Sequence, residues 1–370
     1  MLLLFAALLA SACSSSGGSP NPGQSSRIPD GSGHSTTPPP PPSSPSGLGT
    51  VQPAGANATF CLPGDKCTGV KVDCPDTGEP AKAILDIVEP TGSARGLLVF
   101  LSGGGGNKLW SQEAKQDIKF SGGQGGGIDQ QAAQQAESML RGLQQQGYMT
   151  VQVVWQKAWL AAPLGNPVGP ARLGCRPATL LKWLYDTSYQ RLGAHPSALG
   201  CGFCVTGNSG GASQIAYSLA FYGLGGIIDA AVETGGPPHA ALAKACLNEP
   251  GYGYTPGLDS VLDISYGFDR ATTGQRGPCE LHDTSWASRW TRDGADTGGT
   301  SYNYPGTRIL LLLGGKDDTK VGPHQMDYLN RLKKAGSPHV EQVTIPDMTH
   351  AITASQEGLN RIRDWFLATS

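Results

Sequence analysis

The sequence predicts an α/β domain: a mostly parallel central sheet with helices on both faces and a loop-rich insertion late in the chain. Three observations predict it. Apolar runs of five or six residues recur, each followed by Gly or polar residues, as strands buried on both faces require. Stretches with apolar residues three and four apart, the period of an amphipathic helix, stand between them. Strand and helix alternate from about residue 60 to the end, the order that parallel pairing through helical crossovers produces.

The chain begins differently. Residues 1–12, MLLLFAALLASA, are too short for a permanent membrane span and end in small residues, as a signal peptide does. Ala10-Ser11-Ala12-Cys13 resembles a bacterial lipobox, which implies lipidation at Cys13; plain secretion and a cytosolic location are the alternatives. Residues 13–55 are Ser, Gly and Pro with almost nothing to bury, so they read as a disordered tether, and 56–370 as the folded α/β domain. With 27 Lys plus Arg against 29 Asp plus Glu, net charge −2, and no basic run, a nucleic-acid partner is not expected. Charged residues are only 15% of a chain carrying 53 Gly and 28 Pro, which makes it rich in loops. Beyond Cys13 there are eight cysteines, an even number behind an export signal, and up to four structural disulfides are expected without a choice of pairing. Cys201-x-x-Cys204 has no second Cys/His pair at zinc spacing.

In chain order the strands are expected at Gly96 to Leu101, Thr150 to Trp155, Gly202 to Thr206, Ile227 to Val232, Ile309 to Leu313 and Val340 to Ile345. Helices are expected over 130–146 (Ala133, Ala136, Met139, Leu140 and Leu143 on one stripe), over 177–186 with Pro177 in the first turn, and over 355–368 with Leu359, Ile362 and Phe366 inward. His239 to Pro305 breaks the alternation and reads as an insertion over the strand ends.

After Gly202 to Thr206 comes Gly207-Asn208-Ser209-Gly210-Gly211 and then a helical stripe of Ala212, Ile215 and Leu219. A serine between glycines on a strand-to-helix turn is exposed above the sheet at the positive end of a helix, and a Cβ on the flanking residues would clash with neighbouring backbone. Here the sequence resembles the α/β-hydrolase fold over roughly residues 95 to 366. The resemblance implies a nucleophile at Ser209, then an acid, then a histidine. His350, directly after the last strand, fits the histidine; His324 reads as a surface helix residue and His339 as a strand-edge residue. Leu313-Gly314-Gly315-Lys316-Asp317-Asp318-Thr319-Lys320-Val321 resembles the family's G-x-x-D-x-x-V element. Asp318 matches both halves of it, Gly315 before and Val321 after, and is the expected acid; Asp317 and Glu233 are the alternatives. Ser102-Gly103-Gly104-Gly105-Gly106 resembles the HGGG-type oxyanion loop, with Ser102 where His is usual, and implies donors at Gly104, Gly105 and Gly210.

The implied chemistry is acyl transfer through a Ser209-His350-Asp318 triad, which calls for no metal and no cofactor. The expected function is an exported carboxylic-ester hydrolase (serine esterase), held at the cell surface through Cys13 or secreted. It is expected to be a monomer acting on a small-molecule or polymeric ester and to meet the membrane only through its lipid. Trp155 and Trp286, among the aromatics of the strand exit and the insertion, would favour an apolar or aromatic ester if they line the cleft. A serine peptidase of the same fold and a non-catalytic surface-tethered binding protein are the other readings.

Overall fold

The computed structural model describes residues 47–113, 130–194, 200–254 and 257–368. The signal peptide, Cys13 and all but the end of the tether lie outside them. Among the described residues nine strands share one sheet. In chain order they are β1 (Thr50–Ala54), β2 (Lys66–Asp73), β3 (Ala81–Val88), β4 (Gly96–Leu101), β5 (Tyr148–Trp155), β6 (Phe203–Asn208), β7 (Ala230–Thr234), β8 (Arg308–Gly314) and β9 (Val340–Ile345). Their order across the sheet is β1-β2-β3-β5-β4-β6-β7-β8-β9. The pairs β1/β2, β2/β3 and β3/β5 are antiparallel, and those from β5 through β4 to β9 are parallel.

The parallel strands are apolar at successive positions because both faces are covered. Leu97, Val99, Leu101, Val205, Ala231, Ile309 and Leu311 point into one core, and Leu98, Phe100, Cys204, Ala230, Val232, Leu310 and Leu312 into the other. The first core is closed by helices α2 (Cys175–Leu184), α3 (Gly210–Ala220) and α4 (Val321–Lys334) through residues such as Leu181, Ile215, Leu219, Tyr328 and Leu332. The second is closed by α1 (Gln130–Gln145) and α5 (Gln356–Leu367) through Ala136, Leu140, Leu143, Leu359, Ile362 and Phe366. Each such side chain taken fully out of water contributes about 1.5–3 kcal/mol. The result is the α/β-hydrolase fold that the sequence led us to expect.

Four details differ from the sequence reading. Thr50–Ala54, placed in the tether, is β1, paired with β2 in register from Thr50 opposite Asp73. The antiparallel strands β1 to β3 lack a continuous apolar run, since Lys66, Lys71, Lys82 and Asp86 interrupt them. Strand β7 begins at Ala230, three residues later than expected, because Asp229 turns its carboxylate back to accept the N–H groups of Gly202 (3.0 Å) and Phe203 (2.8 Å). His324 is not on the surface: it is fully buried in α4, stacked on Tyr254.

The eight cysteines form four disulfides, Cys61–Cys67, Cys74–Cys175, Cys201–Cys204 and Cys246–Cys279. The last closes the insertion between β7 and β8, whose short helices Leu242–Cys246, Leu258–Asp263 and Ala287–Asp293 gather around Leu262, Tyr266, Trp286 and Trp290 as a small core of their own.

Candidate active site

Ser209 stands between the end of β6 and the first turn of α3 with φ 52° and ψ −114°. A side chain held in that region stores about 1–3 kcal/mol of backbone strain and persists only where its surroundings fix it. Here the surroundings do: the Ser209 N–H donates to Thr234 O on β7 at 2.7 Å, and Ser209 O accepts the N–H of Ser213 at 3.1 Å. The residue after it allows no side chain. A Cβ on Gly210 would lie 2.1 Å from Gly104 O and 2.9 Å from Gly104 N, so the glycine loop after β4 rests directly on the elbow.

That loop is fastened on its far side. Trp159 N donates to Gly105 O (2.9 Å), Trp155 N to Gly106 O (2.8 Å) and Gly106 N to Gly103 O (3.0 Å). The Gly103 N–H is taken by the carboxylate of Glu113, a buried residue the sequence reading did not single out. Ser102 donates its hydroxyl to Lys108 O at 2.8 Å and so holds the loop's own backbone. Gly104 and Gly210 therefore meet at the elbow, whereas a Cβ on Gly105 would meet Ala158 on the β5 side.

The loops after β8 and β9 bring the other two groups together. Gly315 N donates to Ile345 O (2.8 Å) and Lys316 N to Met348 O (2.9 Å), which laces one loop to the other. Across this seam His350 Nδ1 lies 2.8 Å from Asp317 Oδ2. The acid beside the histidine is thus Asp317 and not the expected Asp318. Asp317 N donates to Gly314 O, closing a tight turn, and its other carboxylate oxygen accepts from Thr319 N (3.0 Å) and Thr319 Oγ1 (2.5 Å). The Asp317 side chain is 2% exposed, while Asp318, one residue on, faces solvent. Burial by itself would raise the Asp317 carboxyl, but the hydrogen bond and charge of His350 and the two donors of Thr319 outweigh it and hold it below its ordinary value. Thr319 Oγ1 also lies 3.1 Å from His350 Nδ1. The Asp-x-Thr turn was the available signal for Thr319, because a carboxylate that caps its own turn is fixed in direction.

Glu233, the third acid weighed, is fully buried inside β7, where burial drives its carboxyl well above the ordinary range; it is not the group at His350. Ser209 and His350 share a boundary. A Cβ on Gly235, which follows β7 at φ 53°, would lie 3.1 Å from His350 Nδ1 and Cε1, and one on Gly236 would lie 3.2 Å from Ser209 O.

Trp155 and Trp286 are packing residues. The Trp155 indole is fully buried under the glycine loop and donates to Gln214 Oε1 at 2.9 Å. Trp286 sits in the core of the insertion, edge-on to Tyr266 and Phe268 and beneath the Arg289 guanidinium. Neither residue therefore supports a preference for an apolar or aromatic ester.

No protein-family model matches the chain, and no curated protein matches its sequence. Solved structures similar to it include a thermophilic esterase from the planctomycete Thermogutta terrifontis with propionate bound, at 16% identity over 78% of this chain and 92% of that one, TM-score 0.44. A puromycin-hydrolysing peptidase from Mycobacterium tuberculosis is 12% identical over 83% of this chain, TM-score 0.49. An acylaminoacyl peptidase from Pyrococcus horikoshii is 13% identical over 82%, TM-score 0.46. This chain spans 40% of the length of each peptidase. The chemistry of the site rests on its own residues.

Proposed function

We propose that the protein is an exported serine hydrolase that cleaves carboxylic esters through an acyl-enzyme. The observation that carries this reading is the Asp317–His350 pair at 2.8 Å, its carboxylate buried and its imidazole packed on Gly235 at the exit of β7, to which the Ser209 backbone is bonded. Ser209 Oγ attacks the ester carbonyl while His350 Nε2 takes its proton and then passes it to the leaving alcohol. Asp317 fixes the tautomer with the proton on Nδ1 and stabilises the imidazolium. The N–H groups of Gly104 and Gly210 receive the oxyanion, and each such donor is worth about 3 kcal/mol in the transition state. Water activated by His350 then releases the acid.

Four disulfides among the eight cysteines fit an oxidising compartment. With a lipid on Cys13, the tether would hold the enzyme at the cell surface and reach its substrate from there.

The test is hydrolysis of p-nitrophenyl esters from acetate to palmitate by the full chain, produced by export into an oxidising compartment, beside Ser209→Ala. Turnover abolished by the substitution is expected, with Ser209 labelled by a fluorophosphonate. A folded protein that neither hydrolyses any ester nor takes the label would end this reading and favour the binding-protein alternative.

A further inference from the structure

We propose that Asn208, the residue before the nucleophile, is a positioning residue that ties the backbone of His350 to the strand carrying Ser209. The inference rests on the serine-hydrolase reading and adds to it the group that sets the spacing of base and nucleophile. Asn208 ends β6 and is 1% exposed. One terminal atom of its side-chain amide lies 2.8 Å from Thr234 Oγ1 and 3.2 Å from both Thr234 O and His350 O. Two of these neighbours are carbonyl oxygens, which can only accept, so the amide nitrogen is assigned to that atom on hydrogen-bonding grounds.

The same Thr234 carbonyl accepts the Ser209 N–H at 2.7 Å, and the Thr234 hydroxyl lies 3.3 Å from Gly207 O, to which it donates. One carbonyl on β7 therefore holds the nucleophile's backbone directly, and through one side chain it also holds the base's backbone. Gly235 leaves the room for this bracket. A Cβ there would lie 3.1 Å from the Asn208 amide as well as from the His350 ring.

His350 sits on a loop, and its ring is oriented from the other side by Asp317. The loop is laced to its neighbour at Met348 O, two residues before His350, and a bond at the backbone of His350 itself removes the swing that remains. A misplacement of about 1 Å in a catalytic group costs on the order of a hundredfold in rate. The chemistry also selects the residue type. Asp has the shape of Asn but would present a carboxylate to two carbonyl oxygens and bring negative charge beside the imidazole, favouring its protonated form.

The experiment compares Asn208→Ala, Asn208→Asp and Asn208→Ser in the full chain, reading kcat and KM across pH, fluorophosphonate labelling rate and thermal melting. Asn208→Ala is expected to lower kcat and labelling about a hundredfold with KM within about threefold of wild type. Asn208→Asp is expected to move the acid limb of kcat/KM to higher pH, a change that loosened packing alone would not produce. Asn208→Ser, whose hydroxyl is too short to span to His350, is expected to follow Asn208→Ala and serves in its place should the alanine variant not fold. Wild-type kcat in a folded alanine or serine variant would overturn the proposal, as would loss of the fold in both or an unmoved acid limb in Asn208→Asp. A wild-type protein inert to esters and to fluorophosphonate would instead remove the serine-hydrolase reading, and this inference with it.

Discussion

Replacing Asp317 by Asn separates the two neighbouring carboxylates by their chemistry. One oxygen of Asp317 accepts both the N–H and the hydroxyl of Thr319, at 3.0 and 2.5 Å, and the other lies 2.8 Å from His350 Nδ1. In Asp317→Asn the two Thr319 donors keep the amide oxygen on their side, so the NH2 group must face His350. Imidazole can then pair with it only by accepting at Nδ1, which moves its proton to Nε2, the atom that must receive the proton of Ser209. Such a tautomer lock lowers kcat about 10⁴-fold in a serine triad, equivalent to about 5 kcal/mol. Asp318→Asn, at a solvent-facing side chain, is expected to stay within about twofold of wild type. The assay is kcat and KM on p-nitrophenyl butyrate at pH 7 to 8, with melting curves to confirm that both variants fold. The pH dependence of stability gives an independent reading. A carboxyl held below its ordinary pKa contributes stability that is complete above the unfolded value near 3.9 and is lost as pH falls through the folded value. The melting difference between wild type and Asp317→Asn is therefore expected at neutral pH and should vanish in strong acid. An Asp317→Asn variant retaining more than about a tenth of wild-type kcat, or an Asp318→Asn variant losing as much, would refute the assignment.

Two further outcomes are expected. Gly210→Ala places a methyl 2.1 Å from Gly104 O, so the glycine loop must retreat from the elbow; kcat on the same ester should fall about a hundredfold, and unchanged kcat would show that this contact does not shape the oxyanion site. The Cys74–Cys175 disulfide closes a separation of 101 residues and Cys61–Cys67 one of only 6. In the chain-entropy account the former is worth about 4.7 kcal/mol, so the double Cys→Ser variant at Cys74 and Cys175 should melt well below its Cys61/Cys67 counterpart, and equal melting would contradict that account here.

What the sequence made legible follows from how each signal is encoded. Strand β4 begins and ends where its apolar run does, because a strand buried on both faces has no other composition open to it. The antiparallel strands β2 and β3 are interrupted by Lys and Asp, and β1 by Gln and Pro, so they resemble loops until their partners are known. Ser209 and His350 were readable because each is tied to a strand end, whereas the choice between Asp317 and Asp318 turns on which way one residue of a tight turn faces. That direction is set by Thr319, and a spacing pattern counted from Gly315 does not contain it. Trp155 and Trp286 show the opposite limit: an indole has the same sequence signature in a cleft and in a core, and only the packing of Gln214 or Tyr266 against it distinguishes the two.

The placement of the site follows from the sheet itself. From β4 the chain crosses to β5 on one side and later to β6 on the other, so the loops leaving β4 and β6 diverge and open a crevice beyond their carboxyl ends. The glycine loop leaves β4 there, and Ser209 leaves β6. Parallel polarity then brings the ends of β7, β8 and β9 to the same edge, carrying Thr234, Asp317 and His350 in turn. Each element of the proposed chemistry follows a different strand, so the ladders of the sheet set where each loop starts, and bonds within the loops set where its side chain ends up. The strain at Ser209 is tolerable for the same reason: Thr234 O holds its N–H, and Gly104 resting on Gly210 leaves the turn no room to relax.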